Sequence, residues 1–132
     1  MAELNLDVIR ECEDGSLSNE LTFPEVVGKL AAIGVTHYYA DLARMVKVYY
    51  GADAAHQEQL PMKPIPVAEH FSDAGVKSAL SSIQRGEIDY PEFLRRITAA
   101  GAVCYMVFIN GRRAVYVGRR GEFYVENFPQ GK

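Results

Sequence analysis

Apolar positions along this chain change their spacing several times, and the changes separate helices from strands. Val26, Val27, Leu30 and Ile33 recur at helical spacing, as do Phe93, Leu94, Ile97 and Ala100, so each set predicts one apolar stripe on a helix. The starts are marked chemically. Thr22 with Glu25, and Asp89 with Glu92, each place an oxygen-bearing residue three positions before a glutamate with a proline between them, which predicts a capping box at both helix N-termini. Gly34 and Gly101 then fit the left-handed position that ends a helix. A further helix precedes each of these: Val8, Ile9 and Cys12 run up to Gly15, and Val76, Ala79, Leu80 and Ile83 lie between a cap at Ser72 or Asp73 and Gly86.

Beyond Gly101 the chemistry becomes that of strands. Residues 102–109 are rich in β-formers, Asn110-Gly111 signals a hairpin, residues 112–117 return, and residues 118–121 turn into a third strand over 122–128. With two-residue loops at both turns, Tyr105 opposes Tyr116 and Tyr116 opposes Phe123, while Val107, Ala114 and Val125 line up on the same face and Arg113 faces Glu126. The other face carries Cys104, Met106, Phe108, Val115 and Val117. An antiparallel sheet with one wet face alternates more cleanly than this, so the second face is expected to be covered by the rest of the chain or by another chain. The first half repeats the pattern more weakly. Residues 35–42 and 45–50 flank Ala43-Arg44 with Tyr38 opposite Tyr49, and a more polar third strand leads into a connector over residues 61–70 punctuated by Pro61, Pro64 and Pro66.

The two halves are copies. Residues 21–51 lie without a gap over residues 88–118, with identity at Pro24/Pro91, Glu25/Glu92, Ala32/Ala99, Gly34/Gly101, Tyr38/Tyr105, Val48/Val115, Tyr49/Tyr116 and Gly51/Gly118. Chance supplies roughly two such identities, so a supersecondary unit has been duplicated. The expected fold is α+β: a helix-helix-three-stranded antiparallel meander used twice around one shared core. Residues 1–132 then form a single domain, with repeat one over about 2–60 and repeat two over about 71–129. A residue kept in both copies has a structural reading first; one present in a single copy is freer to act.

Composition agrees with a single core. At 132 residues, 48% hydrophobic and 23% charged, the chain can bury a core, whereas two units of half that size would each be marginal. The net charge of −3 gives no general attraction for nucleic acid or an anionic membrane. No stretch reads as a signal peptide or a membrane span, which makes the cytoplasm the expected location. Cys12 and Cys104 have no motif spacing, so free thiols are expected rather than a disulfide or a metal site.

The aromatic-Pro-Glu start, Ala-x-Gly, the tyrosine-bearing strand, Val-Tyr-x-Gly and the closing Gly-Glu-Phe-Tyr-Val-Glu-Asn-Phe-Pro resemble the YdfO-like family of small bacterial and prophage proteins. The similarity spans most of the chain and is most specific over residues 71–129. Members are sometimes labelled phage envelope proteins, and the family's function is unknown. The resemblance implies a duplicated α+β fold and a bacterial or prophage origin, and it supplies no catalytic residues.

Candidate chemistry has to be weighed against the repeat. Glu25 and Glu92 form a symmetric carboxylate pair, but capping accounts for their type and spacing. Tyr38, Tyr49, Tyr105 and Tyr116 could line a binding cavity, although as cross-strand pairs they also read as core. His37 and Cys104 occupy the same place in the two copies, where twofold symmetry could bring imidazole and thiol together as a nucleophilic dyad; Cys104 nevertheless lies in an apolar strand. His37, His56 and His70 match no metal-ligand spacing, and no metal or cofactor is expected. Arg112, Arg113, Arg119 and Arg120 gather at the ends of one hairpin, with Arg44 and Lys47 in the other half, as candidates for phosphate or nucleic acid. The favoured expectation is a non-catalytic binding or accessory module, homo-oligomeric, that recognises a protein or small molecule through an apolar sheet face. The alternative is a small enzyme with a pocket between the repeats that uses Cys104, His37 and tyrosines.

Overall fold

A computed structural model of the chain describes residues 4–128; the outer repeat limits expected at residues 2 and 129 lie outside them. The described residues form an α+β fold of four helices and one antiparallel sheet. Each repeat contributes two helices and three strands: α1 (Leu6–Leu17), α2 (Phe23–Ala32), β1 (His37–Asp41), β2 (Val46–Tyr50) and β3 (Ala55–Gln59), then α3 (Asp73–Gln84), α4 (Tyr90–Ala99), β4 (Ala102–Phe108), β5 (Arg113–Gly118) and β6 (Phe123–Asn127). The strand order is β3-β2-β1-β4-β5-β6, so the two meanders join through β1 and β4 at the sheet's centre.

An offset of 67 residues relates the halves well beyond the aligned segment. Asn5 caps α1 as Ser72 caps α3, and left-handed backbone recurs at Asn19 and Gly86, Gly34 and Gly101, and Met45 and Arg112. Across the central pair Tyr39 lies opposite Met106, which is its own counterpart, so the twofold relating the repeats passes between these two residues. Hydrogen bonds flanking the pair obey the same symmetry: the Leu42 amide donates to the Val103 carbonyl and the Ile109 amide to the Thr36 carbonyl, each at 3.0 Å.

All four helices pack on one face of the sheet. Tyr38, Ala40 and Tyr49 of repeat one and Tyr105, Val107, Ala114 and Tyr116 of repeat two are buried there in one cluster with Ile9, Leu30, Val76, Leu94 and Ile97. Rings as large as these each remove about 150–250 Å² from water, and tilted pairs such as Tyr38–Tyr49 and Tyr105–Tyr116, both with centroids 5.2 Å apart, add specificity.

Three local expectations need correction. The capping box is complete at Thr22, where the Glu25 amide donates to Thr22 Oγ1 and the Thr22 amide to Glu25 Oε1. At the second helix only half of it forms. The Glu92 amide donates to Asp89, but the Glu92 carboxylate is drawn instead to Arg95 at 2.8 Å and Arg96 at 3.0 Å, one turn ahead on its own helix. The first helix does not stop at Gly15; it continues to Leu17, the left-handed residue beyond it is Asn19, and Leu21 packs where a Cβ of Gly15 would lie.

The largest correction concerns β6. Tyr105 does oppose Tyr116 and Val107 does oppose Ala114, but Tyr116 opposes Tyr124 rather than Phe123, and Arg113 opposes Asn127 rather than Glu126. The turn holds three residues rather than two, since the Gly118 amide donates to the Glu122 carbonyl and Gly121 takes a left-handed φ of 84°. One added residue turns the whole strand over. Phe123 and Val125 leave the helix-facing side, and Tyr124 and Glu126 enter it.

Gly34 and Gly101 provide a matched test of packing. Both have left-handed φ, 87° and 92°, but a Cβ at Gly34 meets open space, whereas at Gly101 it would sit 2.4 Å from the His70 carbonyl oxygen. Gly34→Ala is expected to cost about 1 kcal/mol and Gly101→Ala about 2 kcal/mol more, read by urea unfolding; equal costs would contradict this packing.

Candidate functional site

Strand alternation leaves the side of the sheet opposite the helices as three cross-strand rows. At the centre run Gln57, Val48, Tyr39, Met106, Val115 and Val125. One flank carries Tyr50, His37, Phe108 and Arg113; the other carries Val46, Asp41, Cys104, Val117 and Phe123. None of the apolar side chains of these rows belongs to the core cluster: Val46 is buried apart from it, Phe123 is 63% exposed and the others are half-buried. This face is what the sequence required something to cover, and among the described residues no helix lies over it.

Its two flanks are symmetry-related in position and opposite in shape. His37 stacks on Tyr50 with centroids 4.7 Å apart and on Phe108 at 6.0 Å, which builds an aromatic ridge. The counterparts of these three residues are Cys104, Val117 and Asp41, which leave a shallower flank. The charged residues of this face are Arg113, beside Phe108, and Asp41 on the opposite flank. Asp41 turns back into its own hairpin, accepting from the Ala43 and Arg44 amides and from Arg44 Nε at 2.8 Å; burial pushes its carboxyl up, but Arg44 and the turn amides outweigh that and hold it below the usual range.

Beneath the helices lies a second arrangement that sequence reasoning missed. Glu13 of α1 and Lys47 of β2 are 5% and 4% exposed, with Lys47 Nζ 3.4 Å from Glu13 Oε1. That contact is an ion pair without a directed hydrogen bond, since Glu13 Oε1 lacks one, while the Tyr49 hydroxyl donates to the other carboxylate oxygen. The ammonium also sits over the Tyr90 ring at 4.7 Å and the Tyr38 ring at 5.4 Å, and the Tyr90 and Tyr105 hydroxyls bond at 2.6 Å. Burial alone would lower the Lys47 pKa, but Glu13 and the surrounding tyrosines raise it well above its ordinary value, so the lysine stays charged. Repeat two has Leu80 and Ala114 at the equivalent positions. The charged pair therefore breaks the symmetry and, with Tyr90 and Tyr105, ties repeat one to repeat two.

The other candidates are dispersed. His37 lies opposite Phe108 and Cys104 opposite Asp41, so imidazole and thiol stand four positions apart along the strands, roughly 13 Å, and burial pushes the Cys104 thiol up. Tyr38, Tyr49, Tyr105 and Tyr116 are buried in the core, where burial raises every phenol. Arg112 and Arg113 lie at one end of β5 and Arg119 and Arg120 beyond the other; Arg112 packs on Phe128, Arg119 bonds the Val67 carbonyl and Arg120 contacts His70. Glu25 and Glu92 serve their separate helices, and the Thr22 amide holds the Glu25 carboxyl below its ordinary pKa. His56 pairs with Glu58 at 2.5 Å. Among the described residues no group of His, Cys, Asp and Glu could hold a metal ion, and no helix is long and apolar enough to cross a membrane.

No curated protein matches the chain. A family model, described as a protein of unknown function, matches residues 15–127 and so takes in both meanders, the end of α1 and the three other helices. Spanning the duplicated unit and the open sheet face together, that match makes the chain a member of the DUF1398 family.

Proposed function

We propose that the chain is a non-catalytic binding module whose open sheet face packs against a second copy of itself. The observation that carries this reading is the largely apolar face, with Asp41 and Arg113 as its charged residues, that no helix covers because all four lie on the other side. Six strands of about five residues cover roughly 500 Å² in projection, and the corrugated surface over that footprint approaches the ~800 Å² per partner of a standard interface. Its shape favours a copy of the same chain. A dyad in the interface plane, perpendicular to the strands, sets the ridge of Tyr50, His37 and Phe108 over the flank of Val46, Asp41 and Cys104 in a second copy, and does so twice. On this reading the chain is a YdfO-like protein of bacterial or prophage origin, working in the reducing cytoplasm, where Cys12 and Cys104 remain free thiols.

Cys104 tests the reading because it lies on the shallow flank. Its iodoacetamide modification, followed by peptide mass mapping, is expected to slow about tenfold as protein concentration rises through the dimer dissociation constant, and His37→Ala should leave the rate in the dissociated state unchanged. A rate independent of concentration would count against the dimer. Fast modification with a depressed pH midpoint that depends on His37 would instead favour the enzyme.

A further inference from the structure

The free edge of β6 borders a groove against α3, with a volume of about 260 Å³, lined by Lys77, Leu80, Ser81, Gln84, Tyr124 and Glu126 together with Asn127. Which backbone groups face that edge follows from two bonds. The Gly118 amide donates to the Glu122 carbonyl at 2.8 Å and the Phe128 amide to the Arg112 carbonyl at 2.9 Å, so residues 122, 124, 126 and 128 turn their amides and carbonyls toward β5. Phe123, Val125 and Asn127 then turn theirs outward, as a template for one more strand. In the groove the Glu126 carboxylate bonds the Gln84 amide but has no ion pair within 4.0 Å among the described residues. Burial raises its pKa, and the Gln84 bond offsets this only in part.

Repeat one shows the same position completed from within. The counterpart of Glu126, by its place opposite Ala114 as Glu58 is opposite Lys47, is Glu58 of β3. Glu58 is held by His56 at 2.5 Å and by Arg10 of α1 at 3.3 Å. In repeat two His56 is replaced in register by Tyr124 and Arg10 by Lys77, which lines the same groove but forms no ion pair with Glu126 within 4.0 Å. Repeat two therefore keeps the carboxylate and a groove beside it, has a tyrosine in place of the imidazole, and leaves Lys77 in that groove without an ion pair to Glu126.

We infer that an extended peptide adds to the sheet beside β6 and places a lysine or arginine side chain in the α3/β6 groove against Glu126. Main-chain bonds to Val125 and its neighbours supply affinity, and the carboxylate selects a basic residue at the position directly opposite, where side chains of a non-hydrogen-bonded pair lie closest. This site is on the edge of the sheet and does not depend on what covers the open face.

The test uses fluorescence anisotropy with a labelled, end-capped nine-residue peptide of alternating valine and threonine carrying lysine at its centre, and a second peptide with glutamate there. The lysine peptide is expected to bind at least tenfold more tightly, Glu126→Gln to abolish that preference, and amide shifts on binding to centre on Phe123, Val125 and Asn127 rather than on Ala55, Gln57 and Gln59 of the opposite edge. Val125→Pro, which removes an outward amide and no ladder bond, should abolish binding while leaving the circular dichroism unchanged; Glu126→Gln decides the matter alone if that variant fails to fold. Equal affinity for the two peptides, or no binding of either, overturns the proposal and leaves Glu126 as a charge that only guards the edge. Displacement of the peptide by butylamine at equal concentration also overturns it, in favour of a free amine as ligand.

Discussion

Met106→Arg is expected to dissociate the protein into folded monomers. Met106 lies at the centre of the open face, opposite Tyr39 on the axis that relates the repeats, and its side chain takes no part in the core. An unpaired charge buried at an interface costs about 2–5 kcal/mol, and a twofold contact brings in two of them close together, so the dissociation constant should rise at least about 100-fold. Sedimentation velocity would show the change in mass. Thermal unfolding followed at low concentration, where both proteins are monomeric, should give nearly the same midpoint, because the substituted side chain stays half-exposed in the single chain. A variant that remains dimeric would mean that some other surface mediates association.

The second large effect is on folding. Removing one partner of the buried pair, by Glu13→Leu or Lys47→Met, should cost about 3–5 kcal/mol, because the remaining charge is left among Tyr38, Tyr49 and Tyr90 without compensation. The double substitution should recover most of that loss. Repeat two already holds Leu80 and Ala114 at these places, so an apolar version of the position is compatible with the fold. A residual cost of about 1–2 kcal/mol is expected because the Tyr49 hydroxyl loses its acceptor. Urea unfolding of the four proteins measures the coupling; additive losses would show that the pair is not the unit holding this seam together.

How much of this was legible in the sequence follows from the range of each interaction. Helix starts at Thr22 and Asp89, ends at Gly34 and Gly101, and the Tyr105–Tyr116 register rest on neighbours within a few residues, and those expectations hold. Glu92 went astray because two partners compete for one carboxylate, and Arg95 and Arg96 reach it as ions where the Asp89 amide offers a neutral bond. The β6 register turned on whether Gly121 ends a two- or a three-residue turn, a choice that local composition leaves open. Glu13 and Lys47 were hidden for a different reason. Glu13 sits in a helix among Arg10, Glu11 and Asp14, where a charge looks solvated, and only tertiary packing buries it. The usable signal was comparison between copies: a glutamate where the other repeat has Leu80, and a lysine on the tyrosine face of a strand where the other has Ala114. The bare sheet face was legible as an excess of apolar residues, but what covers it was not, because a partner's surface leaves no imprint on the local pattern.

Sedimentation equilibrium of the unmodified chain, over about 1–100 µM, tests the covering of that face most directly. The mass is expected to rise with concentration toward twice the 14.7 kDa of one chain. A mass that stays at 14.7 kDa across the whole range would contradict it.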